Sequence, residues 1–182
     1  MSPPGLKVRP TSSKVRSAAL NMLQGELNGA RLLDLFAGSG AVGIEALSRG
    51  ASGCVFVESD REAIRLLRKN VDGIKERAIK INEIITPLEI LPADVRKIWA
   101  GLASWAPFDL VWADPPYRDI NAWLPILGPE LLKVTSIDAT LAIETGLMKD
   151  VSPQFDSLTQ SGWRLFKERS YGETKLTLWN KG

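Results

Sequence analysis

The segment with the clearest chemical content is Asp114-Pro115-Pro116-Tyr117, which follows the apolar run 108–113. An apolar run of this length predicts a buried strand, so the four residues would lie at the strand's carboxyl end, where open α/β sheets bind ligands. Neither proline has an N–H group to occupy the neighbouring carbonyls. The segment therefore offers a carboxylate, backbone acceptors and an aromatic ring at one edge of a sheet.

These groups fit methyl transfer to an exocyclic amino group of a nucleic acid base. Such a nitrogen becomes nucleophilic only as it pyramidalises, and acceptors aimed at its two hydrogens, here Asp114 Oδ and the Pro115 carbonyl, favour that shape. Tyr117 would stack on the base and align the nitrogen with the methyl donor. The alternative is a plain surface turn, because Asp-Pro-Pro is also a reasonable turn sequence.

A second motif is the glycine loop formed by Gly38, Gly40 and Gly43, with G-x-G-x-x-G spacing between an apolar run and a helical pattern. This spacing allows a sharp turn, close approach of backbone to a ligand and tight helix packing. Glu58 ends the next apolar run, where its carboxylate could accept hydrogen bonds from two ribose hydroxyls. The loop predicts an adenosine cofactor; a simple tight turn is the alternative.

NAD and S-adenosylmethionine would both present a ribose to Glu58. Asp34 favours S-adenosylmethionine, because a carboxylate beside the loop would repel a pyrophosphate but could hold the amino group of a methionine moiety. Asp94, after the third predicted strand, could accept the hydrogens of the adenine amine, although it could equally cap the following helix. A sulfonium is already a strong methyl donor, so this chemistry needs neither a metal nor a histidine.

Composition limits the alternatives. The chain has 182 residues, of which 45% are hydrophobic and 24% charged, as expected for one globular domain. It contains no histidine, which excludes histidine-dependent nucleophiles and nearly all zinc sites. No apolar run approaches the ~20 residues of a membrane span. We therefore expect a cytoplasmic monomer without a metal.

Apolar runs of strand length alternate with helical patterns, which predicts a mostly parallel sheet covered on both faces. The predicted strands are 31–36, 54–58, 88–93, 108–113 and 139–144, followed by a hairpin of 163–169 and 174–179. The predicted helices are 41–48, 61–71, 95–104 and 121–133. Pro125 and Pro129 should break or kink the last helix. Residues 73–86 give no clear signal.

The N-terminal part differs in charge. The net charge of the whole chain is only +2, yet residues 1–31 carry several basic residues against the single acid Glu26. Arg9, Lys14 and Arg16 are therefore candidates for contact with RNA phosphates. Thr11 or Ser12 could cap an amphipathic helix that precedes the first strand.

Taken together, the motifs resemble the bacterial 16S rRNA (guanine-N2)-methyltransferase family, the RsmD-like proteins. The similarity runs nearly end to end and includes the Asp-Pro-Pro-Tyr and glycine motifs, which many amine methyltransferases share. The segments that narrow it to this family are Arg9-Pro10-Thr11 in the arm and Tyr171-Gly172-Glu173-Thr174 in the hairpin.

The resemblance implies a three-layer, Rossmann-like class I methyltransferase with a mostly parallel seven-stranded sheet and an antiparallel last strand. It implies a basic arm and helix over 1–30 and a methyltransferase domain over 31–182. The arm would lie over the cofactor and help to receive ribosomal RNA or a small-subunit ribosomal particle. S-adenosylmethionine would be bound by Thr11, Asp34, Phe36, Ala37, Gly38, Ser39, Gly40, Glu58, Ser59 and Asp94, and the guanine by Asp114, Pro115, Pro116 and Tyr117.

Three other functions remain open from the sequence. Asp-Pro-Pro-Tyr would also serve adenine-N6 methylation of DNA or RNA. An NAD-dependent oxidoreductase could use the same glycine loop, but it would leave Asp114 to Tyr117 unexplained. An RNA-binding assembly factor could keep the fold without the chemistry.

Overall fold

The computed structural model describes residues 13–82, 84–146 and 151–182. One sheet of seven strands organises the chain, in the order β3-β2-β1-β4-β5-β7-β6. The strands are β1 (Arg31–Leu35), β2 (Gly53–Glu58), β3 (Leu88–Pro92), β4 (Phe108–Ala113), β5 (Thr135–Gly146), β6 (Trp163–Tyr171) and β7 (Thr174–Lys181).

Strands β1 to β5 pair in parallel, while β7 is antiparallel to both β5 and β6. The predicted fold class is confirmed, including the antiparallel last strand. That last strand is inserted between β5 and β6, so β6 forms the sheet edge. From β1 the chain adds β2 and β3 on one side of the sheet and then returns to add β4 on the other side of β1. In open α/β sheets, ligands bind at such a switch point.

Seven helices of the described residues cover the sheet. They are α1 (Ser13–Met22), α2 (Gln24–Leu27), α3 (Ala41–Ser48), α4 (Arg61–Lys80), α5 (Trp99–Leu102), α6 (Ile120–Val134) and α7 (Asp156–Gln160). Helices α1 to α4 pack on one face through Leu20, Leu27, Ala46 and Leu67, all fully buried. Helices α5 to α7 pack on the other face. The first helix thus shares its core with the sheet, and the predicted division at residue 30 stays a prediction.

Three helices differ from their predictions, and β5 is longer than the strand predicted over 139–144. The helix predicted over 61–71 continues to Lys80, because Val71 and Ala78 extend its buried stripe past Gly73. The helix predicted over 95–104 is wrong as one element: residues 95–97 form a 3₁₀ turn ahead of the short α5. Helix α6 is continuous through Pro125 and Pro129, so the prolines do not break it, while the kink predicted as the alternative stays a prediction. Its buried leucines outweigh a cost of about 3 kcal/mol per internal proline.

Among the described residues, no helix is both long and apolar enough to cross a membrane.

Candidate functional site

The loop after β1 has a backbone that few residues can adopt. Gly38 and Gly40 have φ angles of 55° and 78°, in the left-handed region that favours glycine. At Gly40 a Cβ atom would also lie 2.4 Å from Leu67 Cδ1. Phe36 shares the left-handed region at φ 61°, which is unfavourable for a bulky side chain. The chain here holds a strained turn between β1 and α3.

Glu58 fixes this turn from the end of β2. Its Oε2 accepts a hydrogen bond from the Gly38 amide at 2.7 Å. Its Oε1 accepts from the amides of Ser59 and Asp60 at 2.7 and 2.8 Å. The carboxylate therefore joins the ends of two neighbouring strands, and it is only half-buried, so a ligand can still reach it.

Asp34 requires a correction. The expected contact with the amino group of a methionine moiety does not fit its orientation, because its side chain is buried and Oδ2 accepts from the Gly43 amide at 3.1 Å. Burial raises the pKa of Asp34 to about 7, against the smaller opposing effect of the Gly43 hydrogen bond. Asp34 thus anchors the first turn of α3 to β1 instead of facing the ligand space.

A cavity of about 120 Å³ opens beside Glu58. Its walls bring together five residues predicted to contact cofactor or base, together with others that the sequence did not suggest. The predicted ones are Phe36, Glu58, Ser59, Asp94 and Pro116. The unpredicted ones are Val57, Ala93, Val95, Arg96 and Trp123. Carboxylates at Glu58 and Asp94 with aromatic and aliphatic walls between them suit a nucleoside, which has polar edges and flat faces.

Asp94 takes one of the two roles that the sequence left open, and its contact with the adenine amine stays a prediction. It precedes the 3₁₀ turn and accepts from the Arg96 amide at 2.9 Å, as a capping residue does, while lining the cavity. Hydrogen bonding from the Arg96 guanidinium holds the pKa of Asp94 low, at about 2. The same guanidinium lies 5.2 Å from the Trp123 ring centroid, so Arg96 adds a cation–π contact at the cavity wall.

The Asp-Pro-Pro-Tyr motif meets this cavity through Pro116. Strand β4 pairs with β1 so that Ala113 lies opposite Leu35, which brings Asp114 alongside the start of the glycine loop. Asp114 is half-buried, and Tyr117 opens a short 3₁₀ turn before α6. The structure therefore brings the two predicted motifs to one edge of the sheet.

The predicted RNA-binding residues fall into two groups. Arg9 and the predicted cofactor contact Thr11 lie outside the described residues, and Lys14 lies within α1. Arg16 forms a part-buried ion pair with Glu45 of α3, with Nε 2.6 Å from Oε2. This pair docks α1 against α3, so Arg16 has a structural partner whether or not it also meets phosphate.

Several residues of the site were not predicted. Asn70 of α4 donates to the Ser39 carbonyl at 2.9 Å and so holds the far side of the glycine loop. Trp123 packs edge-on against Phe36 with ring centroids 4.8 Å apart. No local motif marks either residue, because each reaches the loop from a separate helix.

A larger depression of about 630 Å³ runs along α4, between basic residues such as Arg61, Arg68 and Lys69. It is open to solvent and shares no residue with the cavity beside Glu58. Size alone is therefore a poor guide to the site, and the smaller cavity at the switch point is the candidate. Within the described part of the chain, no group of side chains could hold a metal ion.

This sheet order, with a strained glycine loop after β1, an acid after β2 and Asp-Pro-Pro-Tyr after β4, defines a class I methyltransferase fold. A family profile described as "Conserved hypothetical protein 95" matches residues 1–180. The chain belongs to that family, and the predicted RsmD-like relationship is confirmed.

Named relatives agree with this assignment. The "Ribosomal RNA small subunit methyltransferase D" of Escherichia coli is 29% identical over 98% of this chain and 81% of its own length. YlbH of Bacillus subtilis, provisionally named an rRNA methyltransferase, is 37% identical over 63% of this chain and 59% of its own length. The chain thus spans less than two thirds of that relative.

Solved structures give the same picture. A conserved protein from Streptococcus pyogenes is 31% identical and has a TM-score of 0.72. The match covers 92% of this chain and 96% of that one. A methyltransferase solved in complex with SAH, SMU.776, has a TM-score of 0.69 at 14% identity, over 92% of this chain and 48% of that one. At that identity, the likeness concerns the fold alone.

Proposed function

We propose that the protein transfers a methyl group from S-adenosylmethionine to the exocyclic N2 amine of a guanine in small-subunit (16S) ribosomal RNA. The observation that carries this proposal is the cavity beside Glu58, which is lined both by the cofactor-side residues and by Pro116 of the Asp-Pro-Pro-Tyr motif. Relatives named for small-subunit rRNA methylation support the substrate class. The protein would act in the cytoplasm as a monomer, without a metal.

On the cofactor side, Glu58 would accept hydrogen bonds from the ribose hydroxyls and Asp94 from the adenine amine. Phe36 and Trp123 would pack against the adenine, with Arg96 beside the Trp123 ring. The glycine loop would bring backbone, without an intervening Cβ, to the methionine portion. When bound, S-adenosylmethionine supplies an activated methyl group on a sulfonium.

On the base side, Asp114 Oδ and the Pro115 carbonyl would accept the two hydrogens of the N2 amine and favour a pyramidal nitrogen. Tyr117 would hold the splayed-out base by stacking. As the nitrogen–carbon bond forms and the sulfur–methyl bond breaks, the nitrogen must lose a proton. Asp114 Oδ would accept that proton.

The direct test is incubation with labelled S-adenosylmethionine and unmodified small-subunit RNA or particles, followed by nucleoside mass spectrometry. We expect N2-methylguanosine as the labelled product. N6-methyladenosine would instead assign the adenine chemistry, and absence of any labelled nucleoside would contradict the proposal.

Two variants separate the two halves of the site. Asp114→Ala should abolish transfer, a loss of at least about 100-fold, while the dissociation constant for S-adenosylmethionine stays nearly unchanged. Glu58→Ala should weaken cofactor binding first. Calorimetry of both variants with the cofactor checks the division. Full activity of Asp114→Ala would remove the catalytic assignment.

A further inference from the structure

The hairpin segment Tyr171-Gly172-Glu173-Thr174 has no part in the function proposed so far, although it helped to identify the family. The structure places its last residue, Thr174, at the start of β7 and opposite Gly146 of β5. Gly146 is the last residue of β5, at the same sheet edge as the Asp-Pro-Pro-Tyr motif. The hairpin therefore reaches the edge where the target base would bind.

Tyr117 contacts this part of the sheet in three ways. Its hydroxyl donates to Glu144 Oε1 at 3.3 Å. The Thr174 side chain lies close enough to the same hydroxyl to act on its pKa as a hydrogen-bond donor would. Its ring lies directly on Gly146, where a Cβ atom would be 2.2 Å from Tyr117 Cδ2. Three residues from two strands thus define both the position of the hydroxyl and the height of the ring.

The chemistry of these contacts favours a fixed tyrosine. Glu144 is only 1% exposed, and a buried carboxylate needs hydrogen-bond donors such as the Tyr117 hydroxyl. Burial, together with the negative charges of Asp114 and Glu144, raises the pKa of Tyr117, so the hydroxyl stays protonated and keeps donating. Thr174 can donate in turn to the tyrosine oxygen, which forms a short chain from the hairpin to Glu144.

We propose that Thr174 and Glu144 are positioning residues that hold the ring of Tyr117 in the orientation needed to stack on the target base, with Gly146 providing the space. The C-terminal hairpin then serves the methyl-transfer site and does more than complete the sheet. This inference rests on the proposed function, because it concerns how the base is presented.

The kinetic test is a double-variant cycle with Thr174→Val and Tyr117→Phe. Each variant removes one hydroxyl of the chain and preserves the shape of the side chain. We expect Thr174→Val to lower kcat by about 3- to 10-fold, the effect of one lost hydrogen bond. Tyr117→Phe should lower kcat by at least as much, because it also loses the hydrogen bond to Glu144, and cofactor affinity should be unchanged in both variants. Adding Thr174→Val to Tyr117→Phe should cost nothing more, because the shared hydrogen bond is already absent.

Thr140→Val is the matched control. Thr140 lies on β5 and its hydroxyl is 3.4 Å from Asn180 Oδ1 of β7, so Thr140→Val also removes one threonine hydroxyl contact of the sheet, away from the site. Its kcat should equal that of the wild type. The positioning role is overturned if Thr174→Val retains full kcat, or if the two losses multiply in the double variant.

A second measurement does not depend on methyl transfer. The chain has two tyrosines, so in a Tyr171→Phe background the ¹³Cζ NMR signal of labelled tyrosine reports Tyr117 alone. We expect Thr174→Val and Glu144→Gln to shift this signal and Thr140→Val to leave it in place. An unmoved signal in the first two variants refutes the contacts. Wild-type protein without transfer, combined with shifted signals, would refute the proposed function alone.

Discussion

Replacing Gly43 by alanine tests whether α3 packs on the sheet as closely as the structure indicates. A Cβ atom at Gly43 would lie 2.3 Å from Phe56 Cε1, 2.8 Å from Phe56 Cζ and 2.7 Å from Cys54 Sγ. Ordinary contacts begin near 3.4 Å, so either the helix or the Phe56 ring must move by about 1 Å. Both neighbours are fully buried, so a shift of either one disturbs the surrounding core packing.

The expected change in the free energy of unfolding of Gly43→Ala combines two opposing effects. Alanine inside a helix gains up to about 1 kcal/mol over glycine in propensity. Overpacking a dense core costs about 1–3 kcal/mol, and three simultaneous close contacts place Gly43→Ala at the upper end. We expect a net loss of about 1–2 kcal/mol in the free energy of unfolding, which lowers the melting temperature of a chain this size by roughly 3–6 °C.

Urea unfolding of Gly43→Ala and Gly73→Ala measures this difference. Gly73 lies inside α4, and a Cβ atom there has nothing within 4 Å, so Gly73→Ala should gain about 0.5–1 kcal/mol. Phe56→Leu removes both ring atoms that clash with the new Cβ atom. The loss of unfolding free energy caused by Phe56→Leu should therefore be smaller in the Gly43→Ala background than in the wild type. If Gly43→Ala stabilises the protein as Gly73→Ala does, the packing argument fails.

Two further variants test the anchoring of the glycine loop. Folding raises the pKa of Asp34 from 3.8 to about 7, so between these pH values the unfolded chain releases a proton that the folded protein retains. The free energy of unfolding should therefore fall as pH rises through this range, by at most about 1.4 kcal/mol per pH unit. Asp34→Asn should flatten that part of the profile in urea unfolding at several pH values, and parallel profiles would contradict the assignment. Asn70→Ala removes the hydrogen bond to the Ser39 carbonyl and should weaken SAH binding by about 3- to 10-fold in calorimetry. Asn121→Ala, which breaks a similar bond to the Ser152 carbonyl, should leave SAH affinity unchanged, and equal losses in the two would remove the specific role of Asn70.

The sequence predicted those parts of the fold in which local pattern and burial agree. Strand β4 and helix α3 match the prediction residue for residue, because each is mostly apolar and has a clear end. The prediction failed where tertiary packing overrides a local preference, as at the prolines of α6. It also could not show that β7 lies inside the sheet, since strand order depends on contacts between distant segments.

The sequence predicted which motifs form the site, but few of the contacts between their side chains. Glu58, Asp94 and Pro116 do meet in one cavity, because parallel strands deliver their carboxyl ends to a common edge. Asn70, Trp123 and Thr174 reach that edge from elements far away in sequence, with no spacing to mark them. The sequence could identify the acids, but their orientation depends on which donors lie nearby.

The hydrogen bonds that Glu58 already accepts affect what its alanine variant should show. A carboxylate has about four acceptor positions, and three backbone amides already donate to Glu58. Two ribose hydroxyls would therefore have to share acceptor positions with these amides or displace one of them. It follows that Glu58→Ala should lower the free energy of unfolding without cofactor, by about 1–3 kcal/mol, as well as weaken cofactor binding. A variant with wild-type stability and reduced affinity would instead mean that Glu58 serves the ribose alone and that the amides find other acceptors.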